Sequence, residues 1–398
     1  MKNIWIILRK NKELGGIMKI VIAIDSYKGT ISSPNAANAI KEGICEYLTT
    51  VNADVKIFPM ADGGEGTLDA VLAFEENASL CKTTAKDCLM RDSIIPFIII
   101  KRDNSLSAVV EMASIAGLAQ MKKNELDIMR ATTFGVGQCI KTAMDKGART
   151  IYLGIGGSAT NDAGIGMMQA LGAKFLDECN NDIAPGAAQI GNIRDIDLCG
   201  IDKRICATRF VSVSDVKNPF YGPNGATRVY GPQKGATPKQ VECIDKMFEK
   251  FSGIVFSNTG IDLQNIKGSG AGGGIGGGAA AFLNSEFKTG ADWLIEYSKI
   301  EQDIADADLV ITGEGRTDEQ TFNDKLPMRI GAICKKYDKY AIAISGGRTI
   351  GKYDMKNHGI EAIYALTDYY DIDRAMNDTH ACLINATAKI CEEVFSRC

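Results

Sequence analysis

Residues 18–30 read MKIVIAIDSYKGT, and the reading of this run decides the fold. Ile20–Ile24 is an unbroken apolar stretch of the kind a strand buried on both faces requires. It gives way to Asp25-Ser26-Tyr27-Lys28-Gly29-Thr30, a turn that mixes acid, hydroxyls and base. Ser33-Pro34 then offers an N-cap and a first-turn proline, which predicts a helix through about Leu48.

The same alternation continues outward. Val55–Phe58 reads as a strand, followed by a Gly-rich loop and a helix from Thr67. The tail gives a helix over 291–305, strand Leu309–Thr312, a helix over 327–337, strands Ala341–Ser345 and Ala362–Leu366, and a long helix over 371–395. Strand and helix in strict alternation argue α/β with a largely parallel sheet. The middle differs. Strands are expected at Ile94–Ile100, Ala108–Val110, Thr150–Leu153 and Phe210–Val213, with a helix over 133–146, but loops are longer and 218–238 is rich in Pro and Gly. The reading is one α/β domain built from both chain ends, 18–85 and 286–398, with a second α/β domain, 86–285, inserted. Residues 1–17 precede a start-like Met18 and are expected to be an extension with little structure.

The chain has 398 residues, room for two or three domains at about 150 each. It is 45% hydrophobic and 24% charged, with 45 Lys+Arg against 49 Asp+Glu. That balance excludes wholesale disorder and gives no basic excess for nucleic acid. The opening MKNIWIILRK has too short an apolar run for a signal core or a membrane span. Twelve cysteines without a repeated CxxC read as reduced thiols of a cytoplasmic protein, not as zinc ligands. Glycine, 42 of 398 residues, exceeds the usual share of roughly 7%.

Those glycines gather where chemistry is expected. In open parallel sheets the loops after the strands' carboxyl ends carry ligands. Here they read DSYKGT (25–30), DGGEGT (62–67), GIGGSATND (154–162), SDVKNP (214–219) and TGEGRTD (312–318). Any one could be a simple turn. Five in succession mix backbone donors, acids and bases beyond what turns need. In GIGGSATND the backbone N–H groups of Gly156, Gly157 and Ser158 suit an anion. The run 268–278, GSGAGGGIGGG, contains a GxGxxG that would add Gly270, Gly272 and Gly273, but no clear strand precedes it, and a linker is the competing reading. A near-P-loop at 346–353, GGRTIGKY, has Tyr353 where Ser or Thr should bind Mg²⁺ and no good helix after it, so it is set aside. The two histidines, His358 and His380, are both late in the chain, which leaves Asp or Glu as base. Lys28, Lys217, Lys234, Arg316 and Lys325 offer charge for phosphates or a small carboxylate.

DSYKGT, PMADGGEGT, GIGGSATND, DVKNPFYGPNGA with GPQKGA, GSGAGGGIGGG and DLVITGEGRTDEQT occur in the order seen in bacterial type I glycerate kinases, and from Met18 to at least residue 370 the chain resembles that family. The departures are Ile24, Tyr27, Ala163, Ser214 and Asp324, of which only Asp324 adds charge, beside Lys325. The resemblance implies a Rossmann-like domain with the second domain inserted, and ATP- and Mg²⁺-dependent phosphorylation of D-glycerate to 2-phosphoglycerate, with 3-phosphoglycerate as the alternative product. On this reading Asp62, Asp215 and Lys28 are catalytic, and Arg316, Asp318 and Ser26 bind substrate. Gly156, Gly157, Ser158, Gly270, Gly272, Gly273 and Lys234 bind nucleotide or phosphate, and Asp215 and Glu314 bind metal. The partners implied are glycerate and ATP, without nucleic acid or membrane; a homodimer is one candidate for the oligomeric state, which the sequence does not decide. Two other readings compete: an oxidoreductase using Gly268–Gly273 with Asp292 as the ribose-binding acid, and a non-catalytic nucleotide-binding module, against which the five acid-bearing loops count.

Overall fold

The computed structural model describes residues 17–48, 52–323 and 325–396. The expected extension, except Ile17, and Asp324 lie outside the described residues. In chain order the strands are β1 (Met18–Ile24), β2 (Ala53–Pro59), β3 (Ala78–Lys86), β4 (Asp92–Arg102), β5 (Ser105–Glu111), β6 (Thr150–Gly154), β7 (Lys174–Leu176), β8 (Asp195–Asp197), β9 (Arg209–Val213), β10 (Glu286–Lys288), β11 (Leu309–Gly313), β12 (Arg316–Thr317), β13 (Tyr340–Ser345), β14 (Gly347–Arg348) and β15 (Ala362–Ala365). The chain divides into two compact units. Residues 17–61, 69–76 and 291–396 form the first, and 62–68 and 77–290 the second.

The first unit holds a five-stranded sheet, parallel throughout, in the order β15-β13-β11-β1-β2. Every residue of β1 except Lys19 is buried, which is why its sequence is a continuous apolar run rather than an alternation. From β1 the strand order runs one way to β2 and the other way to β11, β13 and β15. The gap between β1 and β11 is therefore the topological switch point, where an open parallel sheet leaves a crevice beyond its carboxyl ends. Helix Ser33–Tyr47 carries Pro34 in its first turn, but its N-cap is Ser32 and not the expected Ser33, and the Ser32 side chain makes no capping bond. Helix Thr379–Ser396 lies against it. Tyr47 and Phe395 stack with centroids 5.8 Å apart, and a Cβ on Gly43 would lie 2.4 Å from the Ile384 carbonyl oxygen. The single helices expected over 291–305 and 371–395 are each broken in two. Lys299, at φ 56°, separates Gly290–Ser298 from Ile300–Asp306, and Asp378 separates Ile372–Asn377 from Thr379–Ser396.

The second unit holds a six-stranded sheet in the order β10-β9-β6-β5-β4-β3, parallel from β10 to β5 and antiparallel beyond. β3 pairs with β4 along its whole length, from Ala78↔Ile100 to Lys86↔Asp92, so it belongs to this unit although the boundary expected at 85 put it in the other. Its sequence, ASLCKTTAK, has no apolar run to announce an edge strand. Helix Pro238–Thr259 was not expected from the sequence; Thr237 and Gln240 form a capping box at its start. It contributes Phe248 and Phe251 to a core with Phe175, Phe210 and Phe220, in which Phe220 and Phe248 stack at 4.7 Å. The glycine run 268–278 is not a linker. Residues 268–274 are tight turns, and 275–278 open the buried helix Ile275–Leu283.

Candidate active site

In the first unit three loops meet at the switch point. The Asp25 amide donates to the Gly313 carbonyl at 3.1 Å, and the Tyr27 hydroxyl donates to the Ile344 carbonyl at 2.8 Å. Tyr27 is 3% exposed, and burial holds its hydroxyl protonated well above the ordinary tyrosine range. The close fit is built into glycine: a Cβ on Gly315 would lie 3.2 Å from Tyr27 Cα, and one on Gly346 would lie 2.6 Å from the Gly315 carbonyl oxygen. The two-residue strands β12 and β14 then pair, and Thr317 and Ser345 share a 2.6 Å hydrogen bond between hydroxyls.

This packing displays the expected substrate residues together with Lys28, expected to be catalytic. Lys28 and Arg316 are exposed; Ser26 and Asp318 are half-buried. Arg316 Nε lies 3.8 Å from Asp318 Oδ2, and Asp318 caps the following turn by accepting the Gln320 amide at 2.9 Å. Ser26 donates its amide to Asp25 Oδ1. Glu314 is buried beneath the loop. Its Oε1 accepts from the Thr321 hydroxyl at 2.6 Å and its Oε2 from Lys325 Nζ at 3.3 Å. Burial pushes the Glu314 carboxyl upward, against the pull of these two partners. The near-P-loop forms no phosphate cradle of the P-loop kind. β14 is followed by the short turn Lys356–His358 instead of a helix, and Lys352 bonds Glu393 at 2.9 Å under the Tyr364 ring.

In the second unit the loop 62–67 packs on the loop after β6. The Gly156 amide donates to the Gly63 carbonyl at 3.0 Å, and the Gly64 amide to Asp62 Oδ1 at 2.9 Å. Gly63, at φ +84°, approaches so closely that a Cβ would lie 2.2 Å from the Val213 carbonyl oxygen. The Gly156 amide is therefore occupied, which corrects its expected place in the anion nest. Among the described residues the amides of Gly157 and Ser158 donate to no backbone carbonyl. Asp215 is exposed after β9, and its Oδ1 accepts the Gly290 amide at 2.8 Å. Gly270 donates its amide to Asn218, and a Cβ there would lie 2.2 Å from the Pro219 carbonyl oxygen. Gly273, at φ +73°, faces the Thr160 carbonyl oxygen at 2.0 Å from the same imagined atom. These two glycines serve backbone packing, and Gly272 is half-buried over Ile155.

Lys234 is 2% exposed and donates to Ser158 Oγ at 2.8 Å and to the Thr160 carbonyl at 2.6 Å. Burial brings its ammonium down to about 7, opposed by the charge of Asp162. Asp162 is an anchor: it accepts from the Thr133 amide at 2.7 Å, from both threonine hydroxyls of Thr132 and Thr133 at 3.0 Å, and from the Gly164 and Gly166 amides. Glu111, at the carboxyl end of β5, is buried and was not singled out from the sequence. It accepts the Thr67 amide at 3.3 Å and the Ser114 hydroxyl at 2.6 Å. The signal for it was an acid directly closing the apolar run AVV.

Residues 20–395 match the model of the glycerate kinase family. The chain belongs to that family. It is 36% identical over 376 residues to the glycerate 2-kinase of Escherichia coli K12, covering 94% of this chain and 97% of that protein. It is 37% identical to the glycerate kinase of Bacillus subtilis 168, covering 88% and 90%. A crystal structure assigned to glycerate kinase 2 of Salmonella typhimurium LT2 superposes with a TM-score of 0.81 at 35% identity, covering 96% of this chain and 99% of that one. This member of the glycerate kinase family is thus a kinase with an α/β fold. Among its described residues no three acids, histidines or cysteines cluster to hold a metal unaided, and no helix is long and apolar enough to cross a membrane.

Proposed function

We propose that the chain transfers the γ-phosphoryl group of ATP to the 2-hydroxyl of D-glycerate, giving 2-phosphoglycerate and ADP. The observation that supports this best is the position of the candidate acids and bases. They lie in or just after loops at the carboxyl ends of parallel strands, those of the first unit at the switch point of its sheet.

Arg316 pairs with the glycerate carboxylate, and Ser26 and Asp318 hold its hydroxyls. The amides of Gly157 and Ser158 receive phosphate oxygens. Asp62 orients the attacking hydroxyl and takes its proton as the O–P bond forms and ADP departs. Lys28 stabilises the negative charge on the group in transfer. Mg²⁺ would neutralise charge on the phosphates, and a Mg²⁺ that enters with ATP needs only one or two protein carboxylates. The absence of a three-acid cage among the described residues agrees with such a mode. Asp215, which is exposed and accepts the Gly290 amide, suits it better than Glu314, which is buried with both oxygens accepting, from Thr321 and Lys325. The domain reading, a Rossmann-like α/β domain from both chain ends with a second α/β domain inserted, belongs to this proposal, as does a cytoplasmic location, which rests on reading the scattered cysteines, without a repeated CxxC, as reduced thiols.

Phosphorus NMR of the product formed from ATP, Mg²⁺ and D-glycerate tests activity and position together. The expected product is 2-phosphoglycerate. 3-Phosphoglycerate would overturn the position, and folded protein without glycerate-stimulated ADP release would overturn the reaction.

A further inference from the structure

The bond between Lys234 and Ser158 has a consequence for the direction of the serine proton. Below its pKa of about 7, Lys234 is an ammonium, and an ammonium has donors only. In the bond from Lys234 Nζ, Ser158 Oγ is therefore the acceptor, and its own O–H must point elsewhere. Ser158 is 4% exposed, yet no acceptor among the described residues takes that proton. A buried donor left without a partner is costly, which is why such groups are rare unless something else receives them. The hydroxyl shares its turn with the uncommitted amides of Gly157 and Ser158. Three donors in one turn above a buried cation suit an anionic oxygen. Lys234 itself is enclosed, with its charge spent on Ser158 Oγ and the Thr160 carbonyl.

We infer that Ser158 is a side-chain donor to an anionic oxygen of the substrates, and that Lys234 is a positioning residue that acts through Ser158 without touching substrate. This deepens the kinase reading and rests on it for the identity of the anions, an ATP phosphate or the glycerate carboxylate. It replaces the expectation that Lys234 itself contacts phosphate.

The test is calorimetric titration of the full chain with ATP and, separately, with D-glycerate, alongside turnover, for wild type, Ser158→Ala, Lys234→Met and the double variant. One charge-assisted hydrogen bond corresponds to about a tenfold loss of affinity. Ser158→Ala should weaken one of the two ligands by about that factor, and the affected ligand names the anion. Lys234→Met should weaken the same ligand, and the double variant should be no worse than about twofold below the weaker single. The inference falls if Ser158→Ala binds both ligands as wild type does, or if the two single losses multiply. Should Lys234→Met fail to fold, Ser158→Ala decides alone, because it leaves the Lys234 bond to Thr160 in place. Loss of ATP affinity in Ser158→Ala, with wild type turning over no glycerate, would overturn the kinase reading for glycerate and uphold the role of Ser158.

Discussion

Two aspartates that look alike in sequence are held differently at the residue scale. Asp62 is half-buried in a glycine turn whose Gly64 amide it accepts, whereas Asp215 stands exposed after β9. Under the proposed mechanism, Asp62→Asn and Asp215→Asn should each lower kcat by at least about 10²-fold, the low end for acid–base or electrostatic roles, with small change in KM. Asn forms turns and caps about as well as Asp. Near wild-type turnover in both variants would therefore reduce the two acids to turn formers. Arg316→Ala should instead raise the KM for glycerate, since its partner is a carboxylate that does not react, and an unchanged KM would remove Arg316 from the site. Lys234 gives a prediction on stability. Its folded pKa, about 7, is below the ordinary lysine value near 10.5. Between those values the unfolded chain binds the extra proton, so this group makes the fold more stable as pH rises from about 7 toward 10.5, and below 7 its full penalty is present. The facing charge of Asp162 works against the shift. Denaturation midpoints of wild type should thus climb relative to Lys234→Met across that window, and parallel curves would show that the buried lysine does not titrate there.

At the scale of elements, close approach decides more than propensity. Gly43 sits inside helix Ser33–Tyr47, where alanine would ordinarily be the better helix former by about 1 kcal/mol. Its missing Cβ is what lets Ile384 come near. Gly43→Ala should therefore destabilise the protein, by about 1–3 kcal/mol as overpacked sites do, and a raised melting temperature would refute the close contact. The same reasoning explains what was legible. β1, β11, β13 and β15 were read correctly because a strand buried on both faces must be apolar throughout. β3 was missed because an edge strand need bury little. The helix Pro238–Thr259 was hidden by the glycines and prolines before it, although Thr237-Pro238 with Gln240 was its start signal. The break at Lys299 has no such signal, since a left-handed lysine depends on its surroundings.

For the whole molecule, the two units carry separate cores, one around Ile20, Ile22, Ile311 and Ile344 and the other around Phe97, Phe175, Phe210 and Phe248. Chains built in this way depart from all-or-none unfolding. Calorimetry should give a van't Hoff enthalpy below the measured enthalpy, and agreement of the two would mean that the cores melt as one. All eleven cysteines among the described residues are unpaired, so thiol titration of denatured protein should return close to the twelve of the full sequence. A stoichiometric disulfide would contradict the reading of the cysteines as reduced thiols.

The sequence by itself determined the α/β class, the parallel sheet from both chain ends and the loops that carry acid, base and glycine. These follow from local rules: a buried strand must be apolar, a turn needs glycine, and a strand's end is where polar residues become affordable. Only the tertiary structure decided which of the candidates have donors or acceptors left over. Gly156 and Gly270 have their amides committed to Gly63 and Asn218, Lys234 is enclosed beneath Ser158, and Glu314 is held by Thr321 and Lys325. Each of those partners is distant in sequence or turned inward by packing. A hydrogen bond is satisfied by whatever lies within about 3 Å, and nearness across the fold is not written in the order of residues.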